Sequence, residues 1–268
     1  NCVGSRFTAI SAGTDHSVAL KSDGSIFAWG SYLDNLARSP AGNNFIAIEA
    51  GWSHSLALKA DGSIVGWGAS YYGQITPPDG NNFIAVAAGR EYSLALKTDG
   101  SIVGWGRQFY GEATPPYGNN FTAIAAGGYH SLALKSDGSI AGWGLNSSGQ
   151  TTPPDGNNFI AITAGWYHSL ALKSDGTIVG WGLNDTGQAM PPDGNNFIAI
   201  AAGYNHSLAL KSDGSIVGWG YNTSGQATHP DGNNFIAIAA GLEYSLALKS
   251  DGTIVGWGSN NYGQTSIP

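Results

Sequence analysis

Phe197 to Gly220 reads FIAIAAGYNHSLALKSDGSIVGWG. Two apolar runs, FIAIAAG and HSLALK, are separated by two variable residues, and a Ser-Asp-Gly turn leads into a third run, SIVGWG. Runs of five to seven residues rich in Ile, Leu, Val and aromatics, broken by Gly, Asp and Ser, read as strands. The DG turn suits a tight antiparallel hairpin, because glycine supplies the positive φ that other residues resist. No segment shows a 3.6-residue apolar period long enough for a helix.

The rest of the chain copies this stretch. Phe7, Phe45, Phe83, Phe121, Phe159, Phe197 and Phe235 are spaced 38 residues apart, and Trp29, Trp67, Trp105, Trp143, Trp181, Trp219 and Trp257 keep the same register, so seven copies (7 × 38 = 266) fill nearly all of the 268 residues. A fixed period of this size means a solenoid, a propeller or an array. Large side chains on one parity and Ala or Gly on the other, with almost no charge, fit a sheet buried on both faces. Small antiparallel sheets packed around an axis satisfy that burial. An open solenoid needs polar capping repeats, whereas the first copy, FTAISAGTDHSVAL, and the last, FIAIAAGLEYSLAL, are as apolar as the middle ones. The expectation is an all-β, seven-bladed β-propeller forming one domain over 1–268, with three to four antiparallel strands per blade. The blade cores are 7–30, 45–68, 83–106, 121–144, 159–182, 197–220 and 235–258. The joins, such as LNSSGQTTPPDGNN at 145–158, carry prolines that a central strand excludes, so GQTTPP is an edge strand or an extended return. The ring seam falls inside such a join, with both termini together at it. Because the secure strands end at Gly258, deleting Ser259 to Pro268 is expected to hurt less than deleting blade 7.

Composition excludes several functions. There are 11 Lys and Arg against 18 Asp and Glu, for a net charge of −7. Lys21, Lys59, Lys97, Lys135, Lys173, Lys211 and Lys249 recur beside a periodic Asp such as Asp23 or Asp213, and their charges are expected to cancel at one end of the ring. No basic cluster remains for a nucleic-acid surface. No apolar run is long enough to span a membrane. Cys2 has no second cysteine to pair with, and the Asn1 start suggests a mature or trimmed product.

The pattern IAAGxxHSLALK, then DG, GWG and GQ, resembles the repeat of the regulator of chromosome condensation family across all seven copies. In unit length and in its GQxTxP joins it is more similar to the short-bladed bacterial branch that includes β-lactamase inhibitory protein II, whose blades are mainly three-stranded. The eukaryotic branch implies guanine-nucleotide exchange on a small GTPase and chromatin binding, but this chain lacks the basic tail and the longer blade insertions that such work would use. The bacterial branch implies a protein partner gripped by loops at one end of the ring. It also implies an extracellular or cell-surface bacterial protein, and a monomer is expected.

Antiparallel strands put the join after AAG and the join after GWG at one end of each blade, opposite the DG turns. Variation follows this division. The DG end barely changes, while the variable end collects Trp52, Tyr71, Tyr72, Arg90, Arg107, Phe109, Tyr110, Tyr129, Trp166, Tyr167, Tyr204 and Tyr221. Neutral drift would favour small polar residues; Tyr, Trp and Arg dominate interface energetics instead. These twelve are the candidate binding residues, running from blade 2 to blade 6 and facing a protein partner. A carbohydrate-binding propeller is the alternative, since sugars stack on Trp and Tyr.

The recurrent His16, His54, His130, His168 and His206 do not suggest metal, because Tyr92 and Tyr244 take the same place in two copies and the ring holds the copies apart. A hydrogen bond to serine or backbone is expected for them, and no metal or cofactor. The residues that break the repeat, Glu49, Glu91, Glu112, Asp185 and Glu243, spread around the ring, so catalysis is not expected. Asn146, Asn184 and Asn222 match the N-glycosylation pattern.

Overall fold

Gly214 decides where one strand stops and the next begins: its φ is +81°, and a Cβ there would lie 2.3 Å from the Asn233 carbonyl oxygen. Only glycine meets both conditions. In the computed structural model, which describes residues 6–267, an inner strand Phe197–Ala202 pairs with a middle strand His206–Lys211, which pairs across the Gly214 turn with an outer strand Ile216–Gly220. The register runs Phe197 to Lys211 and Ala199 to Leu210, with a bulge between Phe197 and Ala199. The same unit recurs seven times, each a separate three-stranded antiparallel sheet. The GQ join adds no fourth strand; it turns tightly against the blade, because Gln226 Oε1 accepts from Ser224 N at 2.9 Å. Cys2 lies outside the described residues.

The core lies between blades. Leu208, Leu210 and Ile216 of blade 6 meet Phe235, Ala247 and Trp257 of blade 7, and Leu246, Leu248 and Ile254 of blade 7 meet Phe7, Ala19 and Trp29 of blade 1. The ring is therefore closed, and hydrogen bonds close it at two further levels. At the DG end each Phe N–H donates to the glycine carbonyl of the preceding turn, from Phe45 N to Gly24 O at 3.1 Å round to Phe7 N to Gly252 O at 3.3 Å. On the outer side each Trp indole donates to a carbonyl of the preceding join, as Trp219 does to Gln188 O at 2.9 Å. Trp29 and Trp67 are buried and the later ones partly so.

The seam uses the same contact. Trp29 Nε1 donates to Gln264 O at 2.8 Å and Ser17 Oγ to the same oxygen at 2.9 Å, while Ile267 packs on the cluster that joins blades 7 and 1. The segment after Gly258 is thus the join that closes the ring, where the sequence places the seam. The periodic aspartates are also held locally: Asp213 Oδ1 accepts from Ser215 N at 2.9 Å and Ser215 Oγ at 2.7 Å, which lowers its pKa, and the charge of Lys211 lowers it further.

Trp219→Ala should cost about 3 kcal/mol in urea unfolding, from lost packing and an orphaned Gln188 carbonyl. A chain ending at Gly258 should melt well below the full-length chain; coincident thermal melts would show that Gln264 is not needed for closure.

Candidate functional site

The loop after each AAG glycine stands at the mouth of the central channel. Gly203 illustrates the constraint: a Cβ there would lie 2.4 Å from His206 Cε1, so the chain passes directly over the histidine ring and the next residue, Tyr204, is thrown to the axis. Trp52 from blade 2 and Trp166 from blade 5 meet across that axis with ring centroids 4.3 Å apart. Tyr204 packs on Trp166 at 4.7 Å and Tyr129 meets it edge-on at 5.6 Å. These rings cap a channel cavity of about 250 Å³ lined by the inner strands, with Ser11, Glu49 and Thr163 as its side-chain polar groups.

Two arginines are embedded in the aromatic cluster. Arg90 Cζ lies 4.1 Å over Trp52, 5.0 Å over Tyr129 and 5.6 Å over Trp166. Arg107 Cζ lies 4.7 Å over Phe109, 5.7 Å over Tyr110 and 5.0 Å over Tyr129. Such stacking holds a guanidinium flat at little conformational freedom. Glu91 sits between them, 3.9 Å from Arg90 Nε and 3.4 Å from Arg107 Nη1, and Glu112 lies 3.9 Å from Arg107 Nε. Glu112 occupies the Gln position of the join and, like Gln226, accepts a loop N–H, that of Tyr110 at 2.7 Å. The two carboxylates are thereby committed to arginine and backbone.

Ring contacts continue outward: Tyr110 meets Tyr129 edge-on at 5.7 Å, Tyr129 stacks on Tyr167 at 5.5 Å, and Tyr72 meets Phe109 at 5.6 Å. All the candidate residues except Tyr71 and Tyr221 join this network. Tyr71 stands apart, its hydroxyl 3.3 Å from Asp34 Oδ2, and Tyr221 lies half-buried on blade 6. The sequence reading missed Tyr32 and Leu33 on blade 1, which are 85% and 67% exposed beside Tyr71. Their signal was available, since they occupy the same post-GWG loop as Tyr71 and Tyr72. That loop is a short 3-10 turn, Leu33–Asn35, in which Asn35 takes the left-handed place of the join glycine with φ +61° and buried Leu36 takes the place of glutamine.

The model of the Regulator of chromosome condensation (RCC1) repeat matches residues 7–32, 45–74, 83–112, 121–150, 159–188, 197–226 and 235–264. The chain belongs to this repeat family. No curated protein matches it at a significant level. Among solved structures it is similar to the ectodomain of the Physcomitrella patens receptor kinase CR4, at 21% identity and TM-score 0.81, covering 96% of this chain and 75% of that one. It is similar to the ectodomain of the Arabidopsis thaliana receptor kinase ACR4, at 23% identity and TM-score 0.77, covering 95% and 98%. It is also similar to Prp20p of Saccharomyces cerevisiae, at 18% identity and TM-score 0.76, covering 97% and 84%. These likenesses establish the fold.

Within the RCC1 repeat the histidine has a structural task. His54 Nε2 lies 2.9 Å from Ser93 Oγ of the next blade, and Ser93 Oγ donates to Gln74 O at 2.9 Å. The serine proton is used there, so His54 must donate from Nε2, leaving Nδ1 buried without a partner. His16, His130, His168 and His206 make the same contact. Where tyrosine replaces histidine the longer side chain reaches further: Tyr92 donates to His130 O at 2.6 Å, and Tyr244 donates to His16 O across the seam. Among the described residues no group of His, Cys, Asp and Glu is arranged to hold a metal ion, and no helix is long and apolar enough to cross a membrane.

Burial lowers the five histidine pKa values from 6.5 to about 3 for His54, His130 and His168 and about 4 for His16 and His206. A depressed native pKa means that the unfolded chain takes up protons first, so this stabilisation is complete above about 6.5 and is lost as pH falls toward the native values. Glu49 has the opposite sign: removal from bulk water raises it from 4.5 to about 7, against a lowering bond from Ser11. Its contribution is full below 4.5 and is lost as pH rises through 7. Urea unfolding should show stability falling steeply between about pH 6 and pH 4, and Glu49→Gln should gain on the order of 1 kcal/mol at pH 8.

Proposed function

We propose that this propeller is a non-enzymatic protein-binding scaffold that uses the aromatic loop face, as an inhibitor-like or surface interaction module of the short-bladed bacterial kind. The observation that carries this reading is a trade of loop stability for exposed apolar surface. On blades 4 to 7 the post-GWG loop holds an asparagine whose Oδ1 accepts a backbone N–H five residues on: Asn146 from Thr151, Asn184 from Ala189, Asn222 from Ala227 and Asn260 from Thr265, at 2.8 to 3.0 Å. On blades 1 to 3 Tyr32, Ser70 and Gln108 stand there instead, and the loops present Tyr32, Leu33, Tyr71, Tyr72, Phe109 and Tyr110 to solvent. Tyr262, half exposed on the braced blade 7 loop, is the exception. A local rule broken in favour of a contiguous apolar crescent marks a binding surface.

Relatives in fold point the same way. Yeast RCC1 (Prp20) has been solved bound to Kap60, and Prp20p has binding properties toward Gsp1p and histones. The apolar crescent and the capped channel mouth here are lopsided, whereas a lectin built on repeats would carry one equivalent pocket per blade.

The test is capture of a partner from the source organism by the intact chain and by a Tyr110→Ala/Trp166→Ala chain, followed by titration of the purified partner. Each central aromatic should contribute about 2 kcal/mol, roughly thirtyfold in affinity. Equal affinity for the double variant, or several equivalent sugar-competable sites on a glycan array, would replace the protein-partner reading.

A further inference from the structure

The protein-binding reading names the face and leaves the chemistry of the partner open; the arginine pair narrows it. Arg90 is held against Trp52, Tyr129 and Trp166, and its one ion pair runs through Nε to Glu91 at 3.9 Å, beyond hydrogen-bond length. Among the described residues its two terminal nitrogens find no protein acceptor and Nε makes no hydrogen bond, although a guanidinium carries five donors. Glu91 is shared with Arg107, whose Nη1 is closer at 3.4 Å, so Arg90 is only partly neutralised. The result is a flat guanidinium, fixed in position by three rings, with a free fork edge and an apolar surround.

We propose that this edge of Arg90 is a carboxylate-recognition point, and that the partner presents to it an Asp or Glu at the tip of an apolar loop. The proposal rests on the protein-partner reading for its occupant, but the anion site stands on the geometry alone. A planar carboxylate matches the fork in a bidentate, charge-assisted pair, and the rings around Arg90 exclude the water that would weaken it. A dianion fits less well, because Glu91 lies against the same guanidinium and Glu112 lies behind Arg107. All seven lysines lie at the DG end, so on the variable face the positive edge offered to an anion is that of Arg90. Arg107 acts as the positioning residue, since it competes for Glu91 and also packs over Tyr129.

The experiment titrates the folded chain with benzoate, phenylphosphate and benzylammonium, following the indole and guanidinium N–H signals of Trp52, Trp166 and Arg90 by NMR. Saturable benzoate shifts at these residues are expected, with benzoate bound more tightly than the other two. Arg90→Ala should abolish the shifts, Arg90→Lys should weaken binding about tenfold by losing the fork, and Glu91→Gln should strengthen it several-fold; unchanged thermal melts establish that the variants are folded. Absence of saturable benzoate binding, tighter phenylphosphate or benzylammonium binding, or indifference to Arg90→Ala would each overturn the proposal. Benzoate binding without any captured protein would leave the anion site standing and remove the protein-partner reading; a captured partner unaffected by Arg90→Ala, with no benzoate bound, would do the reverse.

Discussion

The contact on which this ring depends is the hydrogen bond from each middle-strand histidine or tyrosine into the next blade. A three-stranded sheet that is apolar on both faces cannot bury them alone, so each blade is stable only with a neighbour on both sides. The hydrophobic clusters between blades provide most of the stabilisation, but apolar packing is non-directional. His16, His54, His130, His168 and His206, with Tyr92 and Tyr244, supply direction, each reaching a buried serine or carbonyl of the adjacent blade at a fixed height. Both side chains carry a ring and a terminal donor, which explains why they interchange at this position. The histidine must remain neutral, because its Nδ1 has no acceptor and a second proton would be buried unpaired.

With every blade tied to its neighbours in this way, the mouth of the channel is a rigid rim on which single substitutions can be placed. Replacing the variable residue after the AAG glycine by Trp52, Arg90, Trp166 or Tyr204 sends the side chain to the axis without disturbing the strands. Side chains from blades separated by much of the sequence then stack on one another. Rings and guanidiniums held by mutual contact lose little entropy when something binds, and that pre-organisation favours tight recognition. The outer loops of blades 1 to 3 follow a different logic, giving up the asparagine brace in exchange for exposed aromatics.

Repetition made the architecture readable before any coordinates. The 38-residue period, the DG hairpin and the apolar runs with almost no charge demand sheets buried on both faces, and unbroken apolar ends demand closure. Antiparallel pairing puts the residues that vary between copies at one end of each blade; which of them meet is a separate matter. These are local or periodic properties, and each copy reports them again.

What the copies could not report is the outcome where they differ. That the seam falls after Gly258 is legible in the sequence; that Gln264 O accepts from Trp29 and Ser17 there is shown only by the closed ring. Tyr32 and Leu33 fall outside the candidate face read from the sequence, yet the turn that ends in Asn35 and Leu36 lifts them beside Tyr71. The meeting of Trp52 with Trp166, and the suspension of Arg90 between Trp52 and Tyr129, join blades whose separation along the chain carries no trace of the contact. Period and hydrophobicity act through neighbours in sequence, whereas convergence at an axis depends on how many blades close the ring and how far each side chain reaches, and only the tertiary structure determines that.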